Sequence, residues 1–233
     1  MRVASIVYFC VPLLLIFACQ YSGIDQYLSA KFYVYTDGWQ TKNSWWLDTV
    51  AHKGGRYLVI ILILLMLSLT FVSYWKGFGY PWQRKVGVYL CVSTLAAIST
   101  VSLLKGVTTL PCPWDITGLG GQGEYVYLTD IFSTHLAIGH CFPAGHASGG
   151  YAFFSLYFAA NVWRAKTPCR VKANLWFLPG MLLGLCFGLA QQLRGAHFMS
   201  HDIASALVCW CVCAFILKLL FDHEKRSVLG ETG

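Results

Sequence analysis

Three short polar stretches stand at the ends of apolar segments: Lys105–Asp115 (KGVTTLPCPWD), Cys141–His146 (CFPAGH) and Arg194–Asp202 (RGAHFMSHD). Between them they carry an ammonium, a guanidinium, three imidazoles and a turn containing glycine. Fixed cations and backbone N–H groups suit a tetrahedral anion. A neutral imidazole is a nucleophile toward phosphorus, and a second imidazole can carry the proton of the leaving oxygen. The three stretches therefore hold the parts for moving a phosphoryl group onto nitrogen.

The elements that must position these parts are read as membrane helices. Of 233 residues, 57% are hydrophobic and 12% charged, and the mean hydropathy is +0.56. The charged share is about half that of an ordinary soluble domain. A helix crossing the hydrocarbon core needs about 20 apolar residues. Six stretches answer that description: Val3–Cys19, Tyr57–Trp75, Val86–Leu104, Ser148–Trp163, Leu175–Leu193 and Ile203–Phe221. Small and polar residues (Ser148, Gly149, Gly150, Ser155) interrupt the fourth and imply burial against neighbouring helices. Pro179, Gly180, Gly184 and Gly188 predict a kinked or closely packed fifth helix. The chain is thus expected to be one domain, residues 1–233, all-α, with outer loops 20–56, 105–147 and 194–202. Arg2 before an apolar run also fits a removable leader; a retained first span is the expectation here.

Eleven of the 17 Lys and Arg fall on one side of these spans, and seven of the ten acids on the other. The positive side is cytoplasmic by rule. Both termini are then cytoplasmic, and all three chemical stretches face outward. Anionic lipid headgroups explain the formal charge of +7 without a nucleic-acid partner. Trp39, Trp45 and Trp46 mark residues 21–56 as an interfacial anchor. The glycines of 118–123 are read as a flexible lip or a mobile loop.

Of the ten cysteines, seven lie in apolar spans and Cys169 in a cytoplasmic loop. Cys112 and Cys141 lie on the outer side. There they are either bridged or two free thiols. No Cys-x-x-Cys pair argues for metal.

The order and spacing of these stretches resemble the type 2 phosphatidic acid phosphatases, relatives of the vanadium haloperoxidases. Their signatures are Lys-x6-Arg-Pro, Pro-Ser-Gly-His and Ser-Arg-x5-His-x3-Asp. Lys105 and Pro113 match the first, with Cys112 at the Arg. Pro143-Ala144-Gly145-His146 matches the second, with Ala144 for Ser. His197 matches the third, with Gln191 at the Arg and His201 at the Asp. Asp202 is one residue further on, and Arg194 is nearly one helical turn from Gln191.

The resemblance implies an integral membrane six-helix bundle of the acid phosphatase/haloperoxidase type. His197 would be the nucleophile and His146 the acid and base. Lys105, Arg194 and the backbone around Ala144 and Gly145 would hold phosphate. The carboxylate that orients His197 stays open among Asp202, Asp115 and Asp130, with His201 as another partner. Arg56 is a candidate second guanidinium. A metal at His197 and His201, joined by His135 or His140, is disfavoured because Lys105 and Arg194 repel cations. No metal or other cofactor is expected. The implied substrate is a lipid phosphate or diphosphate in the outer leaflet of a bacterial inner membrane. Alternatives are a phosphotransferase of the same mechanism, or a retired member that binds anionic lipid.

Overall fold

A computed structural model describes residues 2–130, 139–168 and 172–230. His135, Cys169 and Arg170 lie outside the described residues. All regular elements among those described are helical. In chain order they are α1 (Arg2–Tyr21), α2 (Ile24–Phe32), α3 (Gly55–Trp75), α4 (Pro81–Val107), α5 (Gly145–Tyr151), α6 (Ser155–Lys166), α7 (Leu178–Leu193) and α8 (Met199–Gly230). A π-helical segment, Trp45–Gly54, runs straight into α3. Such segments are rare and concentrate at functional sites.

Four helices are long and apolar enough to cross a membrane: Trp45–Trp75, Pro81–Val107, Ala173–Leu193 and Met199–Phe221. A fifth span is available if Phe9–Tyr21 and Ile24–Phe32, bent by 68°, count as one. The bend falls at Gly23, whose φ of +76° is costly for any residue with a Cβ. The expected count of six spans is therefore not reproduced. Ser148–Trp163 departs from expectation: it is divided between α5 and α6 by a 3-10 turn at Ala152–Phe154. Its small residues lower its hydropathy because they are contact points inside the bundle. Gly150 lies against Gly184 of α7, and the Tyr151 ring covers Gly184 so closely that no Cβ fits at either glycine. The glycines of α7 thus permit close packing, and Pro179 sits harmlessly in the first turn of the helix.

The central core joins α4, α5 and α8 through Ala97, Val101, Ala144, Ala147, Tyr151, Cys209 and Cys213. Much of α3, by contrast, presents exposed Ile, Leu and Phe side chains, as a lipid-facing helix does. Asp25 of α2 fixes the start of α8. It is fully buried and accepts hydrogen bonds from the Ser200 backbone N–H (3.0 Å), the Ser200 hydroxyl and the Tyr125 hydroxyl (2.9 Å). A carboxylate on the first turn of a helix satisfies orphan N–H groups and opposes the positive end of the helix dipole.

Candidate active site

The start of α3, the end of α4, the start of α5, the end of α7 and the start of α8 meet at one end of the bundle. There they enclose a cavity of about 600 Å³. Lys105, Gly145, His146, Gln191, Arg194 and His197 all line it, as do Arg56, His52 and Trp114. The opposite wall is apolar and runs along α3 and α4 through Val59, Ile60, Ile63, Leu95 and Ile98. Residues from three remote stretches of sequence are thus gathered around one space.

Lys105 comes from the last turn of α4. A methyl placed on Gly145 would lie 3.8 Å from its ammonium, an ordinary contact distance, so the ammonium stands over the first turn of α5. Among the described residues no carboxylate pairs with Lys105. Arg194 is buried and held by three acceptors. Its Nε donates to the Lys42 carbonyl (2.9 Å), Nη1 to Gln191 Oε1 (3.2 Å) and Nη2 to Asp48 Oδ1 (2.7 Å). These bonds use part of the guanidinium's five donors and fix its plane at the cavity wall. Gln191 is buried as well, and its Nε2 has no partner among the described residues. Gln191 and Arg194 therefore present donors side by side.

His197 is buried in the turn between α7 and α8. Burial, followed by the nearby His201 and Lys105, holds its pKa well below the ordinary imidazole range, so the ring is neutral at neutral pH. His146 follows the same rule. Burial is the main cause and lowers its pKa to about 4, with His52, Arg56 and Arg194 adding to the effect. Its Nε2 lies 3.2 Å from the Ala51 carbonyl, and its ring packs on Phe187 at 4.7 Å and on His52 at 4.8 Å. Gly55 allows this approach: a Cβ there would lie 2.6 Å from the Phe187 ring and 3.3 Å from His146 Nε2.

Several expectations need correction. Asp202 does not orient His197. It points away toward α7, where Gln192 Nε2 donates to Oδ2 and Gly188 makes room for the carboxylate. One position along a helix turns a side chain by about 100°. Asp115 is spent locally, accepting the Cys112 N–H at 3.0 Å, and Asp130 is exposed beside Thr129. Nδ1 of His197 is buried with no hydrogen-bond partner among the described residues, and the His201 ring stands 5.9 Å away. Nor can the Ala144 N–H serve an anion, because it donates to the His201 carbonyl at 3.1 Å. The Ala144 methyl is instead part of the central core.

Outer residues 21–56 are more than an anchor. Trp45 and Trp46 are exposed, as interfacial residues are, but Trp39 lies beneath the site. Its ring fills the space over Gly195, and Nε1 donates to the Leu119 carbonyl at 2.8 Å. The glycines of 118–123 form a built turn rather than a loose lip: Leu119 is buried against Ile116 and Phe198, and Ile116 bridges to Gly123. His140 bonds the Thr108 carbonyl at 2.6 Å and lies apart from His197. Cys112 and Cys141 form a disulfide with Cα atoms 5.3 Å apart, and both line the cavity.

Sequence reasoning passed over Asp48, His52, Trp114, Gln192 and Asp25. The available signal was the spacing of Asp48, His52 and Arg56, four residues apart and directly before an apolar helix.

The cavity is lined by the cations of Arg56, Lys105 and Arg194, by the imidazoles of His52, His146 and His197, and by one apolar wall, a lining that suits an anion carried on an apolar chain. The family model of the PAP2 superfamily matches residues 86–225, more than half of the chain, and the chain belongs to that superfamily. This membership suggests phosphoric-ester hydrolase activity, and the apolar helices suggest a multi-pass membrane protein. No curated protein and no solved structure matches the chain.

Proposed function

We propose that the protein is a membrane-integral lipid phosphatase that works through a phosphohistidine at the outer face of the membrane. The observation that carries this reading is the single cavity shared by Lys105, His146, Arg194 and His197 beneath an apolar wall. Lys105 and Arg194, with Gln191, Arg56 and the backbone at Gly145, bind the phosphate oxygens. The apolar side chains of α3 and α4 receive the start of a lipid chain. His197 attacks phosphorus: an N–P bond forms and the P–O ester bond breaks. The imidazoles opposite, His146 foremost, serve the leaving oxygen and then the water that cleaves the N–P bond. Cations that bind the anion before reaction also stabilise charge that develops on the phosphoryl oxygens.

The test is a panel of lipid phosphates and diphosphates incubated with purified protein. Phosphate release from at least one of them, lost in His197→Ala, is the expected result. Release that persists in His197→Ala would refute the assignment of the nucleophile. Absence of release from every member would favour the anionic-lipid-binding alternative.

A further inference from the structure

The end of the bundle away from the catalytic cavity carries a second arrangement of charge and apolar surface. Lys105 lies in the last turn of α4 and Arg84 in its first. At about 1.5 Å per residue they stand about 30 Å apart along the helix. A hydrocarbon core is about as thick, so the two cations mark opposite membrane interfaces. Aromatic rings agree with this depth. Trp82, at the start of α4, and Trp163, near the end of α6, meet edge-on at 5.0 Å.

Arg84 lines a cavity of about 200 Å³ between α3 and α4, together with Thr70, Ser73, Gln83, Gly87 and Leu90. Its guanidinium lies over the Tyr74 ring at 5.7 Å, and its Nε is buried with no hydrogen-bond partner. Among the described residues no carboxylate pairs with it. A guanidinium at membrane depth without a counter-charge is costly, and an anion set against it gains charge-assisted hydrogen bonds. Gln83 takes the Tyr80 N–H on Oε1 at 2.8 Å, so its own NH2 donors are not used by that bond. Gly87 holds the two helices close: a Cβ there would lie 2.8 Å from Thr70 Oγ1.

A groove of about 330 Å³ adjoins this cavity. It runs between α4 and α6 and is lined by apolar side chains, among them Val86, Leu90, Leu156, Trp163 and, from the turn at Ala173–Phe177, Trp176. Leu90 borders both spaces. At helical spacing Arg84, Gly87, Leu90 and Val86 fall on one continuous arc of α4, so charge and groove lie side by side. A free phosphate would use only the first space; a phosphate carried on an acyl chain uses both.

We propose that an anionic phospholipid of the leaflet opposite the catalytic cavity binds here, with its phosphate on Arg84 and one acyl chain in the groove beside Trp163 and Trp176. The preference for an anionic headgroup follows from Arg84 together with Arg164 and Lys166, which are exposed in the last turn of α6 next to Trp163. The lipid joins α3, α4 and α6. It is a bound lipid rather than a substrate, since among the described residues no imidazole lines either space. This binding needs no phosphatase activity, only the membrane-spanning placement of α3 and α4.

The test is native mass spectrometry of the full chain, stripped of lipid in detergent and titrated with dioleoyl phosphatidylglycerol. Unfolded chains appear at separate, higher charge states, so a partly folded variant does not distort the reading. One tightly held phosphatidylglycerol per chain is expected, and Arg84→Gln should weaken it about tenfold, as loss of a hydrogen bond to a charged group does. Lys218→Gln removes an exposed cation of α8 that lines neither space and should change binding less than about twofold, as surface charges do. Lys105→Gln removes a cation of the catalytic cavity and should leave this lipid in place. Dioleoyl phosphatidylcholine should bind more weakly, and neither glycerol phosphate nor dihexanoyl phosphatidylglycerol should displace the long-chain lipid at equal concentration. Equal retention by Arg84→Gln and wild type would overturn the site. So would equal weakening in all three variants, which is a general charge effect, or weakening in Lys105→Gln alone, which puts the lipid in the catalytic cavity. Displacement by glycerol phosphate would overturn the lipid and leave a site for free phosphate.

Discussion

Asp48 and Arg194, 146 residues apart in sequence, meet at 2.7 Å on the wall of the cavity. The contact joins the segment before α3 to the end of α7. It sets the guanidinium beside Gln191, at the position where the related signature carries its own Arg.

Loss of Arg194 should therefore be felt in substrate binding and turnover together. A hydrogen bond to a charged group is worth about 1.5–3 kcal/mol, so Arg194→Ala is expected to lower kcat/KM roughly 10- to 100-fold. Arg194→Lys should recover little. One ammonium cannot reach Lys42, Gln191 and Asp48 together while facing phosphate. Steady-state kinetics on the best lipid phosphate checks this; near-wild-type activity in Arg194→Lys would mean that the fork geometry is unimportant.

Asp202 makes the opposite prediction. Its carboxylate bonds Gln192 rather than His197, and Asn offers the same acceptor. Asp202→Asn is expected to cost less than about tenfold in kcat, whereas a group that orients a catalytic imidazole costs far more. A drop of a thousandfold would show that Asp202 swings onto His197 during turnover.

The two buried imidazoles set a pH window for stability. Burial lowers both His197 and His146, so below the ordinary imidazole value of about 6.5 the unfolded chain binds more protons than the folded one. Stability should be level above about pH 6.5 and fall as pH drops toward the His146 value of about 4. Thermal melting in detergent between pH 8 and 4.5 reads this, and His146→Gln should flatten the slope. A melting temperature that rises on acidification would contradict the burial of these rings.

Asp25 should matter for stability more than its distance from the cavity suggests. Asp25→Ala strands the Ser200 N–H and the Tyr125 hydroxyl. A lost cap costs about 0.5–2 kcal/mol. Because His197 lies two residues before the start of α8, activity should fall along with the melting temperature. Asp25→Asn should be milder on both readouts. An Asp25→Ala protein that melts as wild type would remove the capping role.

How much of this was legible depended on where each signal lay. Lys105, His146 and His197 were readable because motif spacing and span ends agreed on them. Arg194 followed from helical geometry, one turn from Gln191. The fourth span is divided at Ala152–Phe154, which its hydropathy does not show, but its small residues meet neighbours as expected: Gly150 lies against Gly184 of α7 and Gly149 against Val59 of α3. Trp39, Trp45 and Trp46 gave one aromatic signal but have two fates, and the interfacial reading of all three hid Asp48 and His52 between them and α3. Asp25 looked like any solvated acid in an outer loop; only the bend at Gly23 folds it under α8. The direction of Asp202 could not be known until the start of α8 was fixed, since a single register step decides which face the carboxylate takes.

The most direct measurement is a rapid acid-free quench of the protein mixed with a lipid phosphate labelled in its phosphoryl group, followed by mapping of the labelled residue. An acid-labile, base-stable label on His197, absent from His197→Ala and prolonged in His146→Gln, is the expected result. Steady release of labelled phosphate with no label on His197, or with label on another residue, would contradict the proposed chemistry at its centre.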